Sequence, residues 1–433
     1  MIKFTKYLLL FLPLTLFGDF FIPIRNDWMV TYSFGLLYYI SVLGYFNKSK
    51  SLITLKDFVY LFVLLFLCIV PFFQYSFGIN VWNIIDYLDI SYFKANLIII
   101  IFLVVYSITY KNVKTTFKKS LPISNKSISI LKINSISIII FIYLFSKYNG
   151  FTGLSLARND FESITLSDNN TIHNLIEMTT RTILFFNVIS NYFYFKYSKS
   201  RNSILLFILS LIMMLIIVNP LNIPRYLLVT FYLPLLLIIS NPYKYRPWFK
   251  ISFVFAVLVV FPLMGVIRTG FDLSNLDILF TVLSTGSFDS HSMLVQGVEY
   301  YFVNNFSFGY QLLGSIFFFV PRFIWPTKPV GTGEFLGIEE GFYFTNVSYP
   351  FIGEGFANFG FLGVIIFAFF LAIVHKKFDL YFWSKSKFNF DITSLFYLCF
   401  IGLTFFMMRG DFLSSFAYTF SIYMIMKSLN KII

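Results

Sequence analysis

Long apolar runs recur along the whole chain and restrict its fold more than any other feature of the sequence. A helix needs about 17 to 25 apolar residues to cross a bilayer. Hydrophobic residues make up 58% of the 433 positions and charged residues only 12%. We therefore predict an all-α, polytopic transmembrane bundle of about twelve spans. The predicted spans are 7–23, 28–46, 57–78, 94–110, 131–148, 180–197, 203–219, 226–240, 251–267, 352–374, 392–408 and 412–427.

The lysines indicate how this bundle is oriented. They cluster in every second connection between the apolar runs, and cytoplasmic connections retain the basic residues of a membrane protein. We therefore predict that both termini are cytoplasmic, with only Lys94, Lys147 and Lys328 on the outer side. The cytoplasmic clusters are Lys3/Lys6, Lys48/Lys50/Lys56, Lys111–Lys132, Lys196/Lys199, Lys244/Lys250, Lys376–Lys387 and Lys427/Lys431.

The arginines have the opposite distribution, since only Arg201 and Arg246 fall on the cytoplasmic side. A guanidinium group binds phosphate or carboxylate through two parallel hydrogen bonds, which an ammonium group cannot do. The outward set therefore indicates an anionic ligand outside the cytoplasm, although any one of these arginines could instead be an interfacial residue paired with a local acid. The outward arginines are Arg25, Arg158, Arg181, Arg225, Arg268, Arg322 and Arg409.

The acidic residues complete this charge asymmetry. Only Asp57, Asp379 and Asp391 of the twenty fall inside, so the cytoplasmic face carries +20 and the outer face −7 of the net +13. Such an excess is the positive-inside signal facing anionic membrane lipid, and no nucleic-acid partner is needed to explain it.

The cysteines and histidines indicate no metal site and no disulfide framework. Cys68 and Cys399 each lie alone in an apolar run, where a thiol behaves as a small hydrophobic group. His173, His291 and His375 fall in different connections without the spacing of metal ligands. We expect neither a metal nor another cofactor.

The longest connection, residues 268–351, is predicted to form one large excursion on the outer side. It separates spans one to nine, in residues 1–267, from spans ten to twelve, in residues 352–433. Its apolar stretch 311–320 ends at Pro321 and is too short to cross a bilayer, so we predict an interfacial or re-entrant helix. This helix would place Arg322 and Lys328 at the depth of the lipid headgroups.

Charged residues that could take part in binding or catalysis lie at three positions on the predicted outer side. Two prolines stiffen residues 219–225 and hold Arg225 at the membrane surface, unless this link is only a tight hairpin. Glu354 stands at the start of span ten, where it could merely favour a helix N-terminus. Arg409 and Asp411 link spans eleven and twelve with almost no loop.

These segments together resemble the Wzy-type O-antigen polymerases, also called oligosaccharide repeat unit polymerases. The resemblance covers most of the chain as topology, and as motifs mainly 219–225, 309–363 and 405–412. It implies a bacterial inner-membrane glycosyltransferase of the GT-C class, acting on the periplasmic side. The residues that carry it are Asn-Pro…Arg at 219–225, Pro-Arg-Phe-Ile-Trp-Pro-Thr-Lys-Pro at 321–329, Glu-Gly-Phe-Ala-Asn-Phe-Gly-Phe-Leu-Gly at 354–363 and Met-Arg-Gly-Asp at 408–411.

The resemblance also implies substrates and partners. Donor and acceptor would both be oligosaccharide repeat units carried on undecaprenyl pyrophosphate, and a chain-length regulator protein would be a partner. The periplasmic excursion is itself net acidic, which leaves open which loop holds the donor. The predicted substrate-binding residues are Arg158, Arg225, Arg268, Arg322, Lys328 and Arg409, of which the four at 158, 225, 322 and 409 follow from motif position.

The predicted chemistry needs a leaving-group stabiliser and a base. Arginines can stabilise the charge on a departing pyrophosphate. A carboxylate or histidine can take the proton of the acceptor hydroxyl, an effect of roughly 10² to 10⁴-fold. We predict Glu354 first for this base, and then Asp411 or His291.

Three other functions remain open on the sequence. An O-antigen ligase shares the lipid-linked donor but transfers the glycan to the lipid A core. A flippase for lipid-linked oligosaccharides would need charges lining a cavity in the middle of the membrane, and the predicted spans lack them. A membrane acyltransferase would be expected to have a histidine-centred site.

Overall fold

The computed structural model of the chain describes residues 24–46, 54–82, 86–110, 130–156, 171–220, 223–240, 283–384 and 392–432. Within these ranges every regular element is a helix, which confirms the predicted all-α class there. The helices are α1 (Trp28–Phe46), α2 (Leu55–Ser76), α3 (Asp89–Tyr110), α4 (Ile130–Lys147), α5 (Gly150–Leu154), α6 (Thr171–Ser198), α7 (Arg201–Ile217), α8 (Arg225–Ser240), α9 (Ser290–Val303), α10 (Tyr310–Ile316), α11 (Thr332–Glu339), α12 (Phe351–Ser384), α13 (Ile392–Arg409) and α14 (Phe412–Ile432).

Ten of the predicted spans coincide with helices, while spans 7–23 and 251–267 lie outside the described residues. Among the helices described, α1, α2, α3, α4, α12 and α13 are long and apolar enough to cross a membrane, and α7 and α8 are apolar but shorter. Length and composition therefore support a membrane-embedded helical protein. The number of spans stays a prediction.

One difference in helix bounds concerns α6, which begins at Thr171 rather than at the predicted residue 180. Arg181 consequently lies within the helix, one turn after Glu177. Its guanidinium is buried, and its Nη2 forms an ion pair with Glu177 Oε2 at 2.8 Å. The local-acid explanation therefore accounts for Arg181, which is not available to a ligand.

Contacts divide the helix ends into two separate groups. In one group, Gln74 Nε2 donates to the carbonyl of Leu283 at 2.7 Å. In the other, Leu55 N donates to Asp379 Oδ1 at 3.1 Å, and the Tyr110 hydroxyl donates to Asp379 Oδ2. The charge pattern predicts that the first group is on the outer side and the second on the cytoplasmic side. In each of these contacts, both partners come from connections that are predicted to lie on the same side of the membrane.

A glycine lets α8 and α13 approach closely. A Cβ atom on Gly402 would lie 2.6 Å from the backbone nitrogen of Thr230, so only glycine fits this contact. Small residues at such positions let transmembrane helices pack backbone against backbone. Because Arg225 begins α8 and Arg409 ends α13, the contact brings these two arginines to the same end of the bundle.

The helix α12 is not one continuous span. Phe359 (φ −143°, ψ 22°) and Gly360 (φ 60°, ψ −147°) leave the helical conformation, and the positive φ is one that glycine adopts without strain. A Cβ on Gly355 would lie 2.7 Å from the carbonyl oxygen of Gly363, so the short first part of α12 packs directly on the second. The hydropathy pattern predicts an unbroken span over 352–374, which is wrong at this point. Glu354 lies on the short part.

Candidate active site

Two arginines from different helices converge on one turn. Arg225 Nη1 donates to the hydroxyl oxygen of Ser287 at 2.7 Å. Arg409 Nε donates to the carbonyl oxygen of Ser287 at 3.1 Å, and Arg409 Nη2 donates to the carbonyl oxygen of Gly286. The turn is a 3-10 helix, Gly286–Phe288, that comes just before α9. We call Arg225, Arg409 and this turn the arginine node.

A buried carboxylate completes the arginine node. Asp289 Oδ1 lies 3.2 Å from Arg409 Nη2 and also accepts a hydrogen bond from the Ser348 hydroxyl at 2.6 Å. Its other oxygen, Oδ2, accepts from Trp82 Nε1 at 2.8 Å. Asp289 is 1% exposed, and these donors offset the cost of burying its charge. The Arg409 side chain remains 35% exposed, so a ligand can reach it.

Two carboxylates lie on the other side of the link between α13 and α14. Glu354 Oε1 accepts a hydrogen bond from the backbone nitrogen of Phe412 at 2.9 Å, and its Oε2 accepts from the Thr332 hydroxyl at 2.7 Å. Asp411 Oδ1 accepts from the backbone nitrogen of Ser414 at 2.9 Å, as an N-cap does. Both predicted carboxylates therefore meet at the N-terminus of α14. Glu354 contacts a helix terminus, but it is that of α14 and not that of the predicted span ten.

The surroundings of Asp411 favour its neutral form. A Cβ on Gly331 would lie 2.7 Å from Asp411 Cγ, so the backbone before α11 covers the carboxyl group. Burial raises the pKa of Asp411 in spite of the hydrogen bonds from Ser414. Partial desolvation and the negative charge of Asp411 likewise raise the pKa of Glu334, which Arg322 opposes. These carboxyl groups therefore hold protons more tightly than they would in water.

Replacing Asp411 separates its capping role from its charge. Asp411→Asn keeps an N-cap, whereas Asp411→Ala removes it at a cost of about 0.5 to 2 kcal/mol. Folding raises the pKa of Asp411, so its carboxylate destabilises the fold above the unfolded value of about 3.9. In detergent at pH 7 we expect the thermal unfolding midpoint to be higher than the parent's for Asp411→Asn and lower than the parent's for Asp411→Ala. The difference in midpoint between Asp411→Asn and the parent should vanish at about pH 4. A midpoint of Asp411→Asn below that of the parent at pH 7 would contradict this account.

The third predicted base, His291, lies away from these carboxylates. Its Nε2 pairs with Asn96 Oδ1 at 2.8 Å, and its ring packs on Phe34 and Tyr92 with centroids 5.3 and 6.0 Å apart. Burial lowers the pKa of His291 to about 3, so the ring is neutral at ordinary pH. It tethers α9 to α1 and α3 from inside the bundle, a position without solvent access.

Arg322 and Lys328 stabilise a separate turn. Arg322 Nη1 donates to the carbonyl oxygen of Lys328 at 2.8 Å, while Lys328 Nζ donates to the carbonyls of Phe318 and Val320 at 2.6 and 3.2 Å. The short helix predicted over 311–320 is present as the seven residues of α10. Arg322 is exposed, and its positive charge opposes the rise in the pKa of Glu334.

The remaining predicted binding residues, Arg158 and Arg268, lie outside the described residues. Asp289 and Ser287 were not predicted, because nothing in the run Thr-Gly-Ser-Phe-Asp-Ser distinguishes it from an ordinary loop. The hydroxyl-rich composition of that run was the only available signal. Among the residues described, no three His, Cys, Asp or Glu side chains are grouped so that they could hold a metal ion.

This arrangement can bind an anion and accept a proton at adjacent places. Arg409 bonds to two neutral carbonyl groups, which an incoming phosphate could replace with stronger, charge-assisted hydrogen bonds. The chain positions Arg409 and Asp411 two residues apart, so the anion site and the carboxylates share one short link.

Comparison with known proteins adds no relative. No protein-family model, no curated protein and no solved structure matches the chain.

Proposed function

We propose that the protein is a bacterial inner-membrane glycosyltransferase that polymerises undecaprenyl-pyrophosphate-linked oligosaccharide repeat units into O-antigen or capsule-type polysaccharide. The observation that carries this proposal is the link between α13 and α14. Arg409 joins Arg225 on one side of the link, and Asp411 joins Glu354 on the other. Transfer of a glycan from a lipid pyrophosphate to a hydroxyl needs both kinds of group within reach of one substrate pair.

In the proposed reaction, the acceptor hydroxyl oxygen attacks the anomeric carbon of the donor. The bond from that carbon to the pyrophosphate oxygen breaks, and undecaprenyl pyrophosphate leaves with the electron pair. Arg225 and Arg409 stabilise the charge that develops on the leaving group. Glu354 is 2% exposed, so the acceptor reaches it only when its hydroxyl replaces the Thr332 hydroxyl as a donor to Oε2. Glu354 then takes the hydroxyl proton.

The proposal includes an arrangement in the membrane. The chain would have about twelve spans, a GT-C-like architecture and cytoplasmic termini, with the excursion at 268–351 in the periplasm and Arg322 and Lys328 near the lipid headgroups. The two separate groups of helix-end contacts support a bundle whose connections alternate between two sides.

Reporter fusions test that arrangement directly. We expect a fusion at about residue 290 to be active in the periplasm and one at about residue 385 to be active in the cytoplasm, because lysine-rich connections stay inside. A cytoplasmic signal from residue 290 would place the arginine node on the wrong side for a periplasmic substrate and contradict the proposal.

A deletion strain tests the reaction itself. Loss of a polymerase leaves surface glycan one repeat unit long, because ligation continues without polymerisation. Loss of a ligase instead leaves full-length polymer on the lipid carrier, and loss of a flippase leaves single repeats facing the cytoplasm. We expect the single-repeat product. Long-chain glycan on the surface of the deletion strain would refute the proposal.

A further inference from the structure

Three aromatic side chains, of which Tyr343 and Phe344 are exposed and Trp82 is half-buried, form a group beside the arginine node. Trp82 follows α2, whereas Tyr343 and Phe344 lie between α11 and α12. The centroid of the Trp82 ring system lies 6.2 Å from that of Tyr343 and 5.3 Å from that of Phe344. Tyr343 is 84% exposed and Phe344 is 42% exposed. We call these three side chains the aromatic platform.

Trp82 is the member of the aromatic platform that polar and backbone contacts hold in place. Trp82 Nε1 donates to Asp289 Oδ2 at 2.8 Å, which fixes the edge of the indole. A Cβ on Gly286 would lie 2.3 Å from the Trp82 ring, so the indole rests directly on the backbone of the turn. Asp289 is in turn fixed by the Ser348 hydroxyl. A ligand therefore meets an indole face that needs no reordering, which lowers the cost of binding.

One carboxylate connects the aromatic platform to the arginine node. Asp289 accepts from Trp82 through one oxygen and pairs with Arg409 through the other. Trp82 of the platform and the partly exposed guanidinium of Arg409 thus bind the two oxygens of one carboxyl group. A ligand whose anionic group is bound by Arg409 would extend across the aromatic rings.

The charges around the platform select its ligand. Glu339 and Glu340 are exposed, and Glu340 is three residues from Tyr343, so their Cα atoms lie within about 10 Å of each other. Asp86, four residues from Trp82, has a side chain that is 68% exposed. Asp86 is paired with Arg25 at 3.4 Å. Glu339 and Glu340 would repel an anionic headgroup and would be costly to insert among acyl chains. They accept hydrogen bonds well, so they suit a ligand rich in hydroxyl groups.

We propose that Trp82, Tyr343 and Phe344 form a carbohydrate-binding surface for a neutral pyranose ring of the lipid-linked glycan. This inference rests on the proposed function, and it adds the sugar to the pyrophosphate recognised at the arginine node. The C–H face of the pyranose packs on the aromatic rings, and its hydroxyl groups donate to the surrounding carboxylates.

A second exposed aromatic group supplies the matched control. Phe323 is also 84% exposed, but it lies in the turn that holds Arg322 and Lys328. Cationic side chains beside exposed apolar ones suit an anionic lipid surface rather than a neutral sugar. Phe323→Ala and Tyr343→Ala therefore remove equally exposed rings from surfaces of opposite charge.

The test uses the full-length chain in detergent and titration calorimetry. The probe is the repeat-unit oligosaccharide released from its lipid carrier by mild acid, without lipid or pyrophosphate. We expect Tyr343→Ala and Phe344→Ala each to weaken binding by about two- to tenfold, the range of one aromatic contact. Tyr343→Phe keeps the ring and should restore most of the binding, and Phe323→Ala should bind as the parent does. Trp82 is left intact because its loss would also release Asp289.

Two results would overturn the inference. If Tyr343→Ala binds the oligosaccharide as tightly as the parent does, the platform does not contribute to binding. Tyr343→Ala that loses affinity for vesicles containing anionic lipid, with unchanged affinity for the oligosaccharide, would identify a membrane anchor instead.

The inference and the proposed function fail separately. If the oligosaccharide binds with the expected aromatic dependence but the chain makes no polymer, the platform stands and the polymerase proposal falls. If polymer is made and Tyr343→Ala leaves oligosaccharide binding unchanged, the polymerase proposal stands and the platform falls.

Discussion

Glu354→Gln is expected to lower the turnover of lipid-linked repeat units by about 10²-fold or more while leaving their binding intact. Glutamine keeps one oxygen that accepts a hydrogen bond, so it can retain either the Thr332 hydroxyl or the Phe412 amide as a donor. It has no basic oxygen with which to take the proton of the acceptor hydroxyl. The measurement is the rate of polymer formation by purified enzyme at saturating substrate.

Asp411→Asn is the matched control for this variant. It removes the neighbouring carboxylate but keeps the N-cap of α14. We expect a smaller loss of turnover than for Glu354→Gln, because Glu354 is the proposed base. A Glu354→Gln enzyme that polymerises at close to the parental rate would leave Glu354 with its helix-terminus role alone. The base would then be Asp411, and Asp411→Asn should show the large loss.

Arg225→Lys and Arg409→Lys are each expected to reduce polymer formation by more than tenfold. Lysine keeps the positive charge but cannot form the two parallel hydrogen bonds that a guanidinium offers to a phosphate. A hydrogen bond to a charged group contributes about 1.5 to 3 kcal/mol, so the loss of one bond is enough for this effect. The measurement is the amount and length of polymer, compared at equal amounts of inserted protein.

Arg25→Lys is the matched control for the arginines. Arg25 belongs to the same outward set, but its Nη1 bonds to the carbonyl oxygen of Tyr87 at 2.9 Å and its Nη2 lies 3.4 Å from Asp86. It lies outside the arginine node, so we expect normal polymer. Normal long-chain polymer from Arg225→Lys and Arg409→Lys as well would show that both arginines only fasten the turn before α9. Arg322→Lys reports whether the separate turn at 321–328 belongs to the site.

Much of the helical pattern could be predicted because bilayer thickness and apolar length are directly related. The sequence also indicated that Arg409 and Asp411 share a link, since only Gly410 separates them. The convergence of Arg225 on the same place could not be predicted from hydropathy. It depends on the close packing of α8 against α13, which Gly402 permits. The periodicity of a single sequence carries no information about which helices are neighbours.

The failures have physical causes of the same kind. Gly360 breaks α12 through a positive φ, although its apolar surroundings read as an unbroken span. His291 was a candidate base because a histidine can take the proton of a hydroxyl group. The fold instead buries it against Asn96. Asp289 was missed because its importance comes from three partners, at Trp82, Ser348 and Arg409, that are distant in sequence.

The backbone contact between Gly402 and Thr230 has a consequence for how the site could change. It lies in the apolar interior, about two helical turns from Arg409, and it determines how far apart the first turn of α8 and the last turn of α13 can be. The separation of the two guanidinium groups is therefore set by a residue that touches no ligand. A larger side chain at residue 402 would act as a wedge, spreading the arginines while leaving every polar group of the site unaltered. The reach of the anion site, and with it the size of the group it accepts, could thus be adjusted from within the membrane.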